Sequence, residues 1–136
     1  MPISTADPVF ERELFSDKFV SFNTTLTGTG AYTVWDPTTG TKFRLKGYDV
    51  KVAVDTTLTG TGSVVLGFWD NANSAPVATV ATLREGASKG ERYSDRADLR
   101  EGFVSSAANN NLILQGHATL GAGVVRVSGI VWGEEI

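Results

Sequence analysis

Apolar and polar side chains alternate along most of this chain with a period of two. From Tyr48 onward, Tyr48, Val50, Val52 and Val54 alternate with Asp49, Lys51, Ala53 and Asp55, the pattern of a strand with one face on a core and the other in water. Upstream, Phe43 and Leu45 alternate in the opposite parity, and the switch falls at Lys46-Gly47. A β-bulge at Gly47 would bring both apolar sets onto one face and bend the backbone, so one bent strand is predicted over 43–54. Similar runs predict strands at 19–23, 31–35, 63–69, 77–83, 103–105, 112–118 and 124–132, separated by clusters of Gly, Asn, Asp and Pro. The fold class is therefore all-β: an antiparallel β-sandwich of about eight strands, of jelly-roll type, with other eight-stranded sandwiches remaining open.

Two segments depart from the alternation. Asp7 is an N-cap residue, Pro8 suits the first helical position and Glu11 is an early acid, so 8–15 reads as a short helix. Such a helix cannot stand alone. Its apolar residues Val9, Phe10, Leu14 and Phe15 must pack on the body of the domain or on a neighbouring molecule, which divides the chain into an N-terminal arm (1–18) and a sandwich domain (19–136). The other segment, 84–102, carries charges of both signs and three glycines, and reads as a solvated excursion between strands. Arg84, Arg92, Arg96 and Arg100 are its candidate contact residues.

One phrase, Thr-Thr-Leu-Thr-Gly-Thr-Gly, occurs at 24–30 and again at 56–62, and a shortened copy, Thr-Leu-Gly-Ala-Gly, occurs at 119–123. Glycines supply the positive φ of a reversal while Thr and Leu favour extended backbone, so each copy is expected to join antiparallel neighbours as a hairpin tip. Trp35, Trp69 and Trp132 follow the copies at offsets of five, seven and nine residues. Those offsets differ by the side-chain period of a strand, which places the three indoles on equivalent faces, expected to be core. The rival role is an aromatic platform that stacks sugars.

Composition narrows the chemistry. With 12 basic and 15 acidic side chains the net charge is -3, which argues against a nucleic-acid partner. There is no cysteine, hence no disulfide, thiolate metal site or cysteine nucleophile. The start of the chain lacks the basic and apolar stretches of a secretory signal and no window suits a membrane span, so a soluble chain made in a cytoplasm is expected. The sequon Asn23-Thr24-Thr25 is accordingly read as a chance match.

A search for catalysis finds little. His117 is the only imidazole and no Gly-x-Ser-x-Gly elbow exists, so a small hydrolase would depend on His117 alone; a strand histidine is the simpler reading. The glycine phrases lack the third glycine of a dinucleotide fingerprint and any following Gly-Lys-Ser/Thr. Asp70-Asn71-Ala72-Asn73 offers oxygen ligands to a hard cation but lacks the later acid of an EF-hand loop, and no metal is assigned. The carboxylate pairs Glu134-Glu135 and Asp95/Asp98 read as solvated charge. No catalytic residue and no cofactor are predicted.

The stretch Leu99-Arg100-Glu101-Gly102-Phe103-Val104-Ser105-Ser106-Ala107, followed by Asn111-Leu112-Ile113-Leu114 and then 124–132, resembles small jelly-roll virion proteins of tailed bacteriophages, and 43–69 resembles their preceding bent hairpin. The likeness is one of pattern over about the last two thirds of the chain, and 84–98 is longer than the connection it would replace. That resemblance implies a homotrimeric capsid decoration, or cement, protein bound to major capsid protein on the outside of the virion head, with no catalysis. The arm (Val9, Phe10, Leu14, Phe15) is then the candidate clamp. The alternative is a carbohydrate- or receptor-binding module of a phage head or tail fibre, using exposed tryptophans and the Asp70 loop.

Overall fold

The structure, a computed structural model, describes residues 17–71 and 76–136. The described residues form eight strands: β1 (Lys18–Thr27), β2 (Tyr32–Trp35), β3 (Phe43–Thr56), β4 (Val64–Asp70), β5 (Pro76–Leu83), β6 (Arg92–Val104), β7 (Leu112–Gly116) and β8 (Val124–Glu135). They form two four-stranded sheets, ordered β1-β8-β3-β6 and β2-β7-β4-β5. Four antiparallel pairs are nested: β1 with β8, β2 with β7, β3 with β6 and β4 with β5. The chain is thus one long hairpin rolled into two sheets, which is the jelly-roll arrangement. The expected helix at 8–15 lies outside the described residues, as do Ala72 and Asn73.

The bend in β3 falls where the parity switch placed it. Leu45 pairs with Gly133 and Gly47 with Trp132, so Lys46 is one extra residue on β3. With that insertion Phe43 and Leu45 point into the same core as Tyr48, Val50, Val52 and Val54. Phe68 of the opposite sheet closes on Tyr48 and on Phe22, with ring centroids 5.2 and 6.3 Å apart and edge-on geometry. Each fully buried Leu, Val or Phe in this layer contributes about 1.5–3 kcal/mol over its exposed state.

Two expectations are corrected here. The excursion over 84–102 is only a turn, because β6 begins at Arg92 and pairs with β3 from Ala53↔Arg92 to Arg44↔Val104; the short strand at 103–105 is the end of β6. Arg92, Ser94, Arg96 and Asp98 face solvent while Tyr93, Asp95, Ala97 and Leu99 are half-buried. Asp95 hides the alternation, since it is a charged side chain at an inward position. The Tyr48 hydroxyl donates to its Oδ2 at 2.6 Å and lies 3.3 Å from the carbonyl of Thr79, which makes the position tolerable.

The glycine phrases do not make hairpins within a sheet. Each carries the chain from one sheet to the other, β1 to β2, β3 to β4 and β7 to β8. The leucine of every copy explains this: Leu26, Leu58 and Leu120 are all buried, so each phrase turns its leucine into the gap between the sheets and closes one end of the sandwich. The copies also bond to one another. Leu120 N–H donates to Gly28 O at 2.9 Å, and Ala122 N–H to Thr59 Oγ1 at 2.7 Å. Identical sequence adopts two conformations: positive φ falls on the first glycine of one copy, Gly28 (55°), and on the second glycine of the other, Gly62 (81°).

Candidate functional site

The outer face of the β1-β8-β3-β6 sheet combines exposed apolar and cationic side chains on a rigid support. Register places Phe19, Trp132 and Gly47 in one row, with Ser21, Ile130, Asp49 and Arg96 in the next. Phe19 is 67% exposed, and Trp132 and Ile130 are half-buried. Further along, Lys51 stands between Ser128 and Ser94, and Ala53 between Arg126 and Arg92. The small side chains Ala53, Ser94 and Ser128 therefore floor a shallow depression of about 590 Å³ whose rim carries Lys51, Arg92 and Arg126. Asp55 also lines it and pairs with Arg126 at 3.3 Å, whereas Lys51 and Arg92 form no ion pair among the described residues. Exposed cations above a floor of small side chains suit carboxylate groups delivered by a partner.

The structure distributes the arginines named from sequence. Arg92 and Arg96 share this face, and Arg100 is exposed in a bulge of β6 where four residues, 99–102, oppose Lys46 alone. That bulge takes positive φ at Arg100 (54°) and Gly102 (82°). Arg84 sits apart, in the turn after β5, where its guanidinium holds Glu91 through Nε at 3.0 Å and a second, shorter contact from Nη2. The Arg84 contact, with the Ser88 amide and the Tyr93 hydroxyl, holds the Glu91 carboxyl down to about 2. Val9, Phe10, Leu14 and Phe15 lie outside the described residues.

The tryptophans are not equivalent. Trp35 is in the core against Phe43, centroids 5.8 Å apart, because a register shift between Thr33 and Trp35 turns both Val34 and Trp35 inward. Trp69 and Trp132 instead lie half-buried on the outer faces of opposite sheets. The outward position of Trp132 was legible from parity, since Val125, Val127 and Val131 are its odd-numbered core neighbours. Phe19 and Lys51 carried no signal of their own, because only strand order brings them onto one face with Arg92 and Trp132.

The remaining candidate groups have structural partners. His117 Nδ1 accepts from the Val65 amide at 2.9 Å, and its own amide donates to Val65 O at 2.9 Å, extending the β4–β7 pairing. Asp70 is fully buried and its Oδ2 accepts from the Ser106 amide at 2.8 Å and hydroxyl at 3.2 Å, so it caps the loop after β6. Asp95 and Asp98 point to opposite faces. Glu134 and Glu135 do the same: Glu134 meets Arg44 and Lys46, while Glu135 meets Lys18, Thr38 and Trp35. Among the described residues no three His, Cys, Asp or Glu side chains cluster as a metal site. No helix of the described residues is long and apolar enough to cross a membrane.

No protein-family model and no curated protein matches the chain. Solved structures do resemble it. The coat protein of Tobacco streak virus aligns with 88% of this chain and 87% of its own at 11% identity and TM-score 0.45. The capsid of Helicobacter pylori bacteriophage KHP30 aligns with 88% of this chain and 92% of its own at 9% identity and TM-score 0.42. A Bacillus endospore appendage, from a family of disulfide-linked pili, aligns at 15% identity and TM-score 0.42, covering 87% and 86%. At these values the likeness is one of general architecture and bears no weight on what the chain does.

Proposed function

We propose that the chain is a non-catalytic structural protein of a phage virion, a homotrimeric decoration or cement protein that binds major capsid protein on the outside of the assembled head. The observation that carries this reading is the outer face of the β1-β8-β3-β6 sheet, where exposed Phe19 and half-buried Trp132 and Ile130 adjoin cations on rigid strands. Such a face offers apolar area and charge for protein contact and no reactive group. His117 and Asp70, the groups best suited to chemistry, hold backbone amides instead. A cement protein needs no catalysis: it binds the assembled shell better than separated subunits, and repeated copies multiply a modest contact. Contact residues on this reading are Val9, Phe10, Leu14 and Phe15 of the arm with Arg92, Arg96 and Arg100 of β6; Arg84, locked to Glu91, contributes to its own turn. The test is binding to empty capsids by the full chain and by a truncation lacking residues 1–15. A chain that ignores capsids at every concentration ends the decoration reading, and a truncation that remains trimeric but loses capsid binding supports the arm as the clamp.

A second reading has one observation behind it. Trp132 and Phe19 lie side by side on an outer face, where aromatic rings stack sugars. Saccharide binding that disappears in Trp132→Ala, with no capsid binding by the parent chain, would favour a carbohydrate-binding module.

A further inference from the structure

We infer that the outer face of the β1-β8-β3-β6 sheet receives the N-terminal segment, residues 7–15, of a second copy of this chain. The inference rests on the protein-contact reading of this face and names its first occupant; the arm and Arg92 then join copies of the chain, and Arg96 and Arg100 are the contacts left to the capsid.

Three observations converge on that segment. The face is two-part, with Phe19, Ile130 and Trp132 toward one end and Lys51, Arg92 and Arg126 toward the other. Residues 7–15 offer partners to both parts: Val9 and Phe10 on one side and Leu14 and Phe15 on the other flank Glu11, Arg12 and Glu13, and with Asp7 the three acids and one base leave a net charge of -2. Carboxylates of the segment would meet Lys51 and Arg92, which form no ion pair among the described residues, and its apolar side chains would cover the exposed Phe19 and the outer side of Trp132. Asp49, Asp55, Asp98 and Glu134 also stand on this face; Asp55 pairs with Arg126, Glu134 with Arg44 and Lys46, and Asp98 lies in the Trp132 row, away from Lys51 and Arg92.

Length fits as well. Trp132 and Arg126 are six residues apart on β8, about 20 Å along a strand. The eight-residue span from Asp7 to Phe15 reaches about 27 Å when extended, so one segment can touch both ends of the face. Geometry favours a neighbouring copy over self-coverage. Asp17 continues the line of β1 and its carboxylate holds Lys46 at 2.9 Å, beside Glu134 and beyond the Trp132 row. Asp17, the first described residue, therefore stands at the end of the sheet farther from Lys51, Arg92 and Arg126, so coverage of its own face would require the chain to double back, and coverage of a neighbouring copy would not.

Reciprocal charge reversal in the full chain tests this, with mass in solution measured by sedimentation and no capsid present. One variant carries Asp7→Lys, Glu11→Lys and Glu13→Lys; the other carries Lys51→Glu, Arg92→Glu and Arg126→Glu. The parent is expected above its monomer mass of 14.5 kDa. Each variant alone should associate at least about tenfold more weakly, since three exposed pairs become repulsions. An equimolar mixture should recover association, because the native segment of the second variant meets the native face of the first. Circular dichroism of each variant confirms folding, and the mixture serves as its own control, since misfolded partners would not complement. A parent that is monomeric at tens of micromolar, or a mixture that stays monomeric, overturns the inference. Capsid binding plays no part in the readout, so its absence would sink the decoration reading alone.

Discussion

The Trp132 indole lies where a side chain at Gly47 would stand. A Cβ built on Gly47 would overlap that ring and approach Ala97 O to 2.8 Å. The bulge that bends β3 and the aromatic patch on the outer face are therefore one feature: the extra residue Lys46 resets the core parity, and glycine after it seats the indole. Gly47→Ala should destabilise the protein by about 1–3 kcal/mol through overpacking, several degrees of melting temperature, and should make Trp132 easier to quench with acrylamide. An unchanged melt with unchanged quenching would mean the indole is not seated there.

Much of this architecture could be read from the sequence because it is written in side-chain period. Tyr48 to Val54 and the switch at Lys46-Gly47 located β3 and its bend, and strands were expected at seven of the eight positions, β6 having been read as an excursion except at its last two residues. What failed were features set by partners distant in sequence. Asp95 breaks the alternation of β6 and is acceptable only because Tyr48 crosses to it. The glycine phrases look like hairpin tips, yet hairpin and crossover use the same residues; the buried leucines decide, and their burial depends on the opposite sheet. The candidate face was less legible still, since Phe19, Lys51, Arg92 and Trp132 come from four strands.

If the phrases are architectural, their leucines should matter and their outer threonines should not. Leu58 is 4% exposed, and the space beside it is shared with Gly123, where a Cβ would overlap its Cδ2 atom. Leu58→Ala should cost about 2–5 kcal/mol, the range for a buried leucine that leaves a cavity. Thr61→Ala, exposed in the same copy, should stay within about 0.5 kcal/mol of the parent. Urea midpoints of the two variants decide it; equal losses would point to a binding role for the phrase.

The Tyr48–Asp95 bond predicts a non-additive pair. Burial first, then the hydrogen bond to Asp95 and its charge, push the Tyr48 hydroxyl well above the ordinary tyrosine range. Tyr48→Phe leaves the inward carboxylate without its donor and should cost about 1–3 kcal/mol. Adding Asp95→Val to that variant should return part of the loss, because removing both partners leaves no orphaned buried group. Strict additivity in the double-mutant cycle would show that the bond does not hold Asp95 in place.

Glu135 gives the acid limb of stability its sign. Burial on its own raises the carboxyl, but the Thr38 amide and hydroxyl, the Lys18 ammonium and the Trp35 indole outweigh it and hold the group at about 2, against 4.5 in its unperturbed state. A carboxyl depressed on folding stabilises the native state fully above its unfolded value. That contribution is lost as pH falls from about 4.5 to about 2, where the folded protein must also take up the proton. Glu135→Gln removes the titration. The variant should be less stable than the parent at neutral pH, and the two stability curves should converge as pH falls through that window. Glu91 is depressed in the same direction by Arg84, but it titrates in both proteins and cancels in the difference. Denaturant midpoints of parent and variant, taken from neutral pH to about 2, supply the comparison. A gap between them that stayed constant with pH would show that the Thr38 and Lys18 contacts do not favour the ionised form. The ends of β1, β2 and β8 would then have to be joined by packing alone.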